Sequence, residues 1–227
     1  MQLSIIIPTL NESALITDTL TALQALRKTG HEVIVVDGGS DDGTPDRAQV
    51  MADVVIAATR GRAVQMNAGA ELARGDVLLF LHADTQLPTG SADSIAAATA
   101  TSAEWGWFDV RLSGTHLLLR MIERGMNWRA RLTRIATGDQ AIFVRRELFM
   151  SLGGYPPLPL MEDVALCKQI RKRAPARCIR TPVTTSSRRW EQHGVLRTML
   201  LMWWLRLAYN LGADTTSLAV RYGPHFR

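Results

Sequence analysis

Four short apolar runs, each followed by a stretch of different periodicity, dominate the first 85 residues and limit what the chain can become. The runs are Leu3-Ser4-Ile5-Ile6-Ile7, ended by Pro8, then Glu32-Val33-Ile34-Val35-Val36, Val54-Val55-Ile56-Ala57 and Val77-Leu78-Leu79-Phe80-Leu81. Short, β-branched and continuous, they predict strands buried on both faces. Between the first two, Ile16, Leu20, Leu23 and Leu26 fall on one helical face after a capping Ser13, and Gly30 ends the helix. Thr44-Pro45 opens a second helix, and 62–74 reads as a third. Strands alternating with helices at this spacing form βαβ units with right-handed crossovers. The fold class expected is therefore α/β, a mainly parallel central sheet with helices on both faces.

The pattern loosens after Pro88. Helices are expected at 91–102, 116–134, 162–173 and 195–211, and strands at 105–112 and 140–144. The Gly153-Gly154-Tyr155-Pro156-Pro157-Leu158-Pro159 segment predicts irregular chain. Charge divides in the same way. Residues 1–110 carry 6 basic and 14 acidic side chains, net −8, whereas 111–227 carry 20 and 7, net +13. Such a split suggests two tasks, with the basic half facing phospholipid, nucleic acid or a phosphorylated substrate, or simply lying solvated. No nucleic-acid module is recognisable, so nucleic acid is not an expected partner. Cys167 and Cys178 fit neither a disulfide framework nor a zinc pattern. Met1-Gln2-Leu3-Ser4 lacks the basic start of a secretory leader. No run reaches the roughly eighteen apolar residues of a membrane span. The expected location is cytoplasmic, with peripheral contact at the inner face of the membrane as a second possibility.

In open α/β sheets ligands bind outside the carboxyl ends of the strands. Pro8-Thr9-Leu10-Asn11-Glu12 follows the first strand, Asp37-Gly38-Gly39-Ser40-Asp41-Asp42-Gly43-Thr44 the second, and His82-Ala83-Asp84 the fourth. Three strands thus deliver acids to one rim, with neither Gly-x-Gly-x-x-Gly nor a Walker sequence among them. A rim this acidic repels a pyrophosphate unless a divalent cation intervenes, and Mn²⁺ or Mg²⁺ suits that task, with Asp84 the best-placed ligand. Asp37 and Asp42 are equally at home as turn formers, Asp84 as a turn or cap residue, and His82 as a packed histidine.

At these residues the chain resembles glycosyltransferase family 2, of the GT-A fold, and within it small non-processive bacterial members. Ile5 to Glu12, Val36 to Thr44, Gly61-Arg62-Ala63 with Asn67-Ala68-Gly69, and Leu81 to Asp84 carry the likeness, joined by Gly138-Asp139-Gln140 and Met161-Glu162-Asp163. The resemblance implies one GT-A domain over 1–227: a nucleotide-sugar half at 1–87, an acceptor half at 88–194, and a C-terminal apolar, basic helix and tail at 195–227. It implies that Pro8, Thr9, Leu10 and Glu12 line the nucleotide site, with Glu12 near the ribose. Asp37 would accept from the base, commonly uracil, and Arg62 and Asn67 would flank base or diphosphate. Asp84 is the last acid of the Asp-x-Asp metal motif, whose first position holds His82 here. Asp163 would be the general base of an inverting transfer from a nucleoside-diphosphate sugar to an acceptor hydroxyl. Arg189-Trp190 lacks the Gln of the processive members' box, Ser186 standing in its place.

The helix at 195–211 carries Leu196, Met199, Leu200, Trp203, Trp204, Leu207 and Leu211 most of the way round. It is either a core helix or one with a face on a bilayer, which would suit a lipid-linked acceptor. His193 stands beside it as a structural histidine or a group closing over the diphosphate. The competing functions are a nucleotidyltransferase, disfavoured by the missing Gly-rich basic loop after the first strand, and a binding module without chemistry.

Overall fold

Burial on both faces is what the early apolar runs require, and the computed structural model, which describes residues 1–223, supplies it. Strands β1 (Leu3–Thr9), β2 (Glu32–Asp37), β3 (Val54–Ala57) and β4 (Val77–Phe80) lie parallel in the order β3-β2-β1-β4. The same sheet continues past β4 through β7 (Ile142–Arg145), β6 (Trp105–Leu112), β8 (Ala176–Thr185) and β5 (Thr85–Gln86). There β7 is antiparallel to both its neighbours, β6 and β8 are parallel, and β5 closes antiparallel on β8.

Alternation along β1 assigns the faces. Leu3, Ile5 and Ile7 pack with α1 (Ser13–Lys28), α2 (Thr44–Gln49) and α4 (Ser91–Thr101) through Ile16, Leu20, Ala48 and Ile95. Ile6, with Ile34 and Val36, packs on the other side against α3 (Arg62–Leu72). The same layer holds α6 (Arg146–Ser151) and α7 (Glu162–Ile170), through Phe149, Leu166 and Ile170. Gly69 shows how closely α3 lies on the sheet, since a Cβ there would come within 2.6 Å of the Ile6 side chain. Helix α5 (Leu117–Thr133) packs on β6. The chain then passes through α8 (Arg188–His193) and Gly194 into α9 (Val195–Asn210), and α10 (Thr215–Tyr222) follows. Leu205, Leu218 and Tyr222 seal α9 and α10 onto Met161 and Val164 in a separate small cluster. Among the described residues, no helix is long and apolar enough to cross a membrane.

The helices expected at 91–102, 116–134, 162–173 and 195–211 correspond to α4, α5, α7 and α9, each shifted by a few residues at most. The strand expected from 140 starts at Ile142, because Gly138–Gln140 is a 3-10 turn. Strand β8 was not expected: Arg177, Arg180 and Pro182 break up its apolar content, yet Ile179 and Val183 still face the core. The short elements α6, α8, α10 and β5 also lie outside the sequence reading.

Candidate active site

The loops leaving β1 and β2 are stapled to each other by side chains reaching backbone. The Asn11 N–H donates to Ser40 Oγ at 2.8 Å, the Asp41 N–H to Asn11 Oδ1 at 3.0 Å, and the Glu12 N–H to Thr44 Oγ1 at 2.9 Å. Asn11 sits at φ 55°, a left-handed conformation that asparagine tolerates. Asp37 is buried at the root of this double loop. Its carboxylate accepts from the Gly39 and Ser40 N–H groups at 2.9 and 2.8 Å and from the Ser40 and Thr9 hydroxyls. Behind it, buried Gln65 donates to the Thr9 and Val36 carbonyls at 2.8 Å each and accepts from the Gly61 N–H. One amide thus ties two strand ends to the start of α3.

The β1 loop forms one side of a cleft of about 880 Å³ that opens at the carboxyl ends of β1 and β4. Pro8, Thr9, Leu10, Glu12, Arg62, His82 and Asp84 all line it. Asp37 and Asn67 are not among the lining residues. Asp37 is occupied by its own turn, and Asn67 clamps the backbone of Tyr155, donating to its carbonyl at 2.9 Å and accepting from its N–H at 2.8 Å. That clamp docks α3 on the Gly153-Gly154 loop.

Side chains of both charges line the cleft, acids beside arginines. Glu12, Asp84, Asp139 and Glu162 supply carboxylates, and Arg60, Arg62, Arg188 and Arg189 supply guanidinium groups. Burial, and then the Asp84 charge, raise the Glu12 pKa above its ordinary value against the pull of Arg188, 4.0 Å away, and of Arg62. His82 Nδ1 lies 3.3 Å from Asp139 Oδ1. Burial works against ionisation of Asp139, but the hydrogen bond and charge of His82, with Arg189 and Arg62 beyond, hold its carboxyl well below the usual range. Asp139 is aimed by the 3-10 turn, which is closed by a reciprocal capping box between Thr137 and Gln140. Arg189 also stacks on the Tyr222 ring, 4.9 Å from its centroid, and bonds its hydroxyl.

The paired acids that open α7 part company. Glu162 is buried against the cleft, and desolvation, then the neighbouring Asp163 charge, push it up to about 7. Asp163 is not a lining residue. Its Oδ2 accepts from the Gly138 N–H at 2.9 Å and its Oδ1 from the Val164 N–H at 2.6 Å. Its charge acts on Arg129 and Arg206 behind the site; burial, with repulsion from Arg206, pulls the Arg129 guanidinium down to about 10. Gly138 stands between the two systems. A Cβ on it would lie 2.3 Å from His82 Nε2.

Among the described residues, no three His, Cys, Asp or Glu side chains gather closely enough to hold a metal by themselves. The donor set nonetheless fits a hard divalent cation of the Mn²⁺ or Mg²⁺ kind. Such ions take one or two carboxylates and complete their shell with water and substrate phosphate, and the Glu12–Asp84 repulsion is the kind of strain that a cation relieves. Sequence reasoning found Arg62 but missed Gln65, Arg60 and the part that Arg188 and Arg189 take in the cleft. A buried glutamine gives no pattern to read, and Arg188 and Arg189 reach the cleft only because α8 folds back over it. His193 and Trp190, on the same short helix, also line the cleft.

Known proteins place this arrangement. A Mycobacterium tuberculosis (strain ATCC 25618 / H37Rv) PGL/p-HBAD biosynthesis glycosyltransferase is 34% identical over 167 residues, covering 67% of this chain and 62% of that protein. The chain thus spans less than two thirds of the relative's length. Mannosyltransferase PcManGT from Pyrobaculum calidifontis, in complex with GDP-Man and Mn²⁺, superposes with a TM-score of 0.65 at 23% identity, covering 81% of this chain and 56% of its own. S. aureus TarS 1–349 in complex with UDP-GlcNAc gives 0.65 at 20% identity, covering 82% and 58%. Both likenesses show the GT-A type of fold. The sequence profile of Glycosyl transferase family 2 matches residues 4–150, and the chain belongs to that family.

Proposed function

We propose that the protein is a divalent-cation-dependent glycosyltransferase that moves a sugar, with inversion, from a nucleoside-diphosphate sugar to an acceptor hydroxyl. The observation that carries this is a cleft lined by four carboxylates and four arginines at the rim where α/β sheets bind ligands. A diphosphate fits between them, its oxygens toward Arg60, Arg62, Arg188 and Arg189. Asp84 would hold Mn²⁺ or Mg²⁺, which when bound stabilises negative charge on the departing diphosphate. Pro8, Thr9 and Leu10 shape the nucleoside end, with Glu12 near the ribose and His82 held in orientation by Asp139. In this reading Asp37 serves the base by fixing the turn, and Asn67 fixes the loop that carries Tyr155. Residues 1–87 bind the donor, helped by Arg188 and Arg189 from the second half, and the rest of 88–194 the acceptor. We favour UDP as the nucleotide, and the test below separates it from GDP.

The acceptor hydroxyl must lose its proton as it attacks the anomeric carbon. Asp163, at the start of α7, is the base that the family resemblance implies. A second reading gives the role to Glu162, because that side chain faces the cleft while both Asp163 oxygens accept backbone N–H bonds. A carboxyl held near 7 is also the stronger base.

A thermal-shift panel of UDP-, GDP- and dTDP-sugars with Mn²⁺ or EDTA tests the proposal. Stabilisation by UDP-sugars that EDTA abolishes is expected. Stabilisation by nucleoside triphosphates alone would move the protein to the nucleotidyltransferases.

A further inference from the structure

Helices α5 and α9 are neighbours, and each is apolar on two opposite faces. The inner side of α9 packs Leu201, Met202 and Leu205 into the small C-terminal cluster. Its outer side carries Leu196, Leu200, Trp203, Trp204, Leu207 and Leu211 to solvent, with Trp203 65% exposed. On α5, Leu119, Glu123 and Ala130 are buried, while Leu117, Met121, Trp128 and Leu132 form a stripe on the far side, with Trp128 67% exposed. Within each outer set most steps are three or four residues, with one of seven from Met121 to Trp128, which keeps the set on one face. Monomeric surfaces seldom leave so many large side chains together in water.

The charge on these faces names the partner. Arg124 lies exposed within the α5 stripe, Arg197 lies exposed on α9, and Arg221 sits over the Trp204 ring at 5.2 Å. Helix α9 has no acid, and the one acid of α5, Glu123, is buried with its carboxylate accepting from the Leu112 N–H. Apolar side chains with tryptophan, flanked by arginine and free of acids, match an anionic bilayer surface, where tryptophan settles at headgroup depth and arginine meets phosphate. A second copy of the chain matches less well, because pairing these faces sets arginine against arginine. At 16 residues α9 is about 24 Å long, too short to span and suited to lying in the plane.

We infer that the outer faces of α5 and α9 seat the protein on the headgroup layer of an anionic membrane. Gly194 alone separates α9 from α8, whose side chains line the cleft, so docking brings the cleft to the lipid surface. A lipid-linked hydroxyl then becomes the natural acceptor class; that last step alone rests on the glycosyltransferase reading.

The test is flotation of the full chain with vesicles of phosphatidylcholine, with and without phosphatidylglycerol, at low and high salt. Binding to the anionic vesicles is expected, with partition about tenfold lower on neutral ones and falling with salt. The double variant Trp128→Ser/Trp203→Ser should lose about tenfold in partition while keeping the wild-type melting temperature. Equal partition of variant and parent, or no binding to anionic vesicles, overturns the inference. So does a wild-type dimer in sedimentation velocity that the double variant converts to monomer, which would give the face to a second copy. UDP-sugar binding, measured by calorimetry without vesicles, is scored separately: its loss sinks the enzyme reading and leaves the membrane one standing.

Discussion

Two walls of the cleft are built by different means. The strand-end wall, with Glu12 and Asp84, hangs on β1 and β4, buried throughout save Pro8, and its loops are braced by Gln65, Asp37 and Thr44. The helical wall, with Arg188 and Arg189, rides on α8, six residues with none buried, attached through Arg189 and Tyr222 and the small α9–α10 cluster. Rigid strand ends suit groups that must hold a fixed geometry against reacting atoms. A short helix on a small cluster opens at lower free energy than the core strands, which suits a wall that must admit and release a charged donor.

The sharpest way to break this comparison is at α7, where the walls meet the proposed chemistry. Replacing the true base should lower kcat by about 10²–10⁴-fold with donor affinity retained. Asp163→Asn and Glu162→Gln, assayed side by side by single-turnover kinetics and calorimetry, identify which residue that is. If Glu162 acts, wild-type kcat climbs with pH through about 7. Lost donor affinity in either variant would remove that residue from the base role.

Next in size, Gln65→Leu should cost about 1–3 kcal/mol, since the Thr9 and Val36 carbonyls each lose one donor and keep the Gly38 N–H and the Thr9 hydroxyl respectively, and should weaken donor binding as well. Urea unfolding reads the first effect and calorimetry the second. By contrast Arg188→Ala, on the exposed wall, should weaken donor binding about tenfold while changing stability by less than about 0.5 kcal/mol. A large stability loss there would mean that the two walls are equally structural.

A further effect is expected on the pH dependence of stability. Because its folded-state pKa is raised to about 7, Glu162 keeps its proton in the folded protein over a range where the unfolded chain releases it. Its contribution therefore makes the protein less stable as pH rises from about 4.5 to 7. Melting temperature across that window should decline in the parent and flatten in Glu162→Gln. An identical slope in both would place the carboxyl in water.

What the sequence disclosed follows the same division. The runs at 3–7, 32–36 and 77–81 announced their strands because burial on both faces leaves no room for polar interruption, and the residues just beyond them were legible as a rim. Asp37 illustrates the boundary of that legibility. Its type and position mark a strand end, but contact with a ligand and closure of a turn demand the same residue. Arg62 was legible beside its strand end, but Arg188 and Arg189 were visible only as surplus charge in the second half, since their placing depends on α8 folding over the cleft. Strand β8 stayed hidden because an edge that is half solvated accepts arginine and proline, so its composition resembles a loop.

Gly138 links His82 to the head of α7 through a single peptide unit. Its missing side chain is the space His82 occupies, and its N–H is the group that Asp163 accepts from. A methyl group added there has nowhere to go without displacing the imidazole on one side or releasing the carboxylate on the other. Orientation of the donor-side histidine and restraint of an acid at the head of α7 are therefore geared together, and neither can be retuned by changing this position alone.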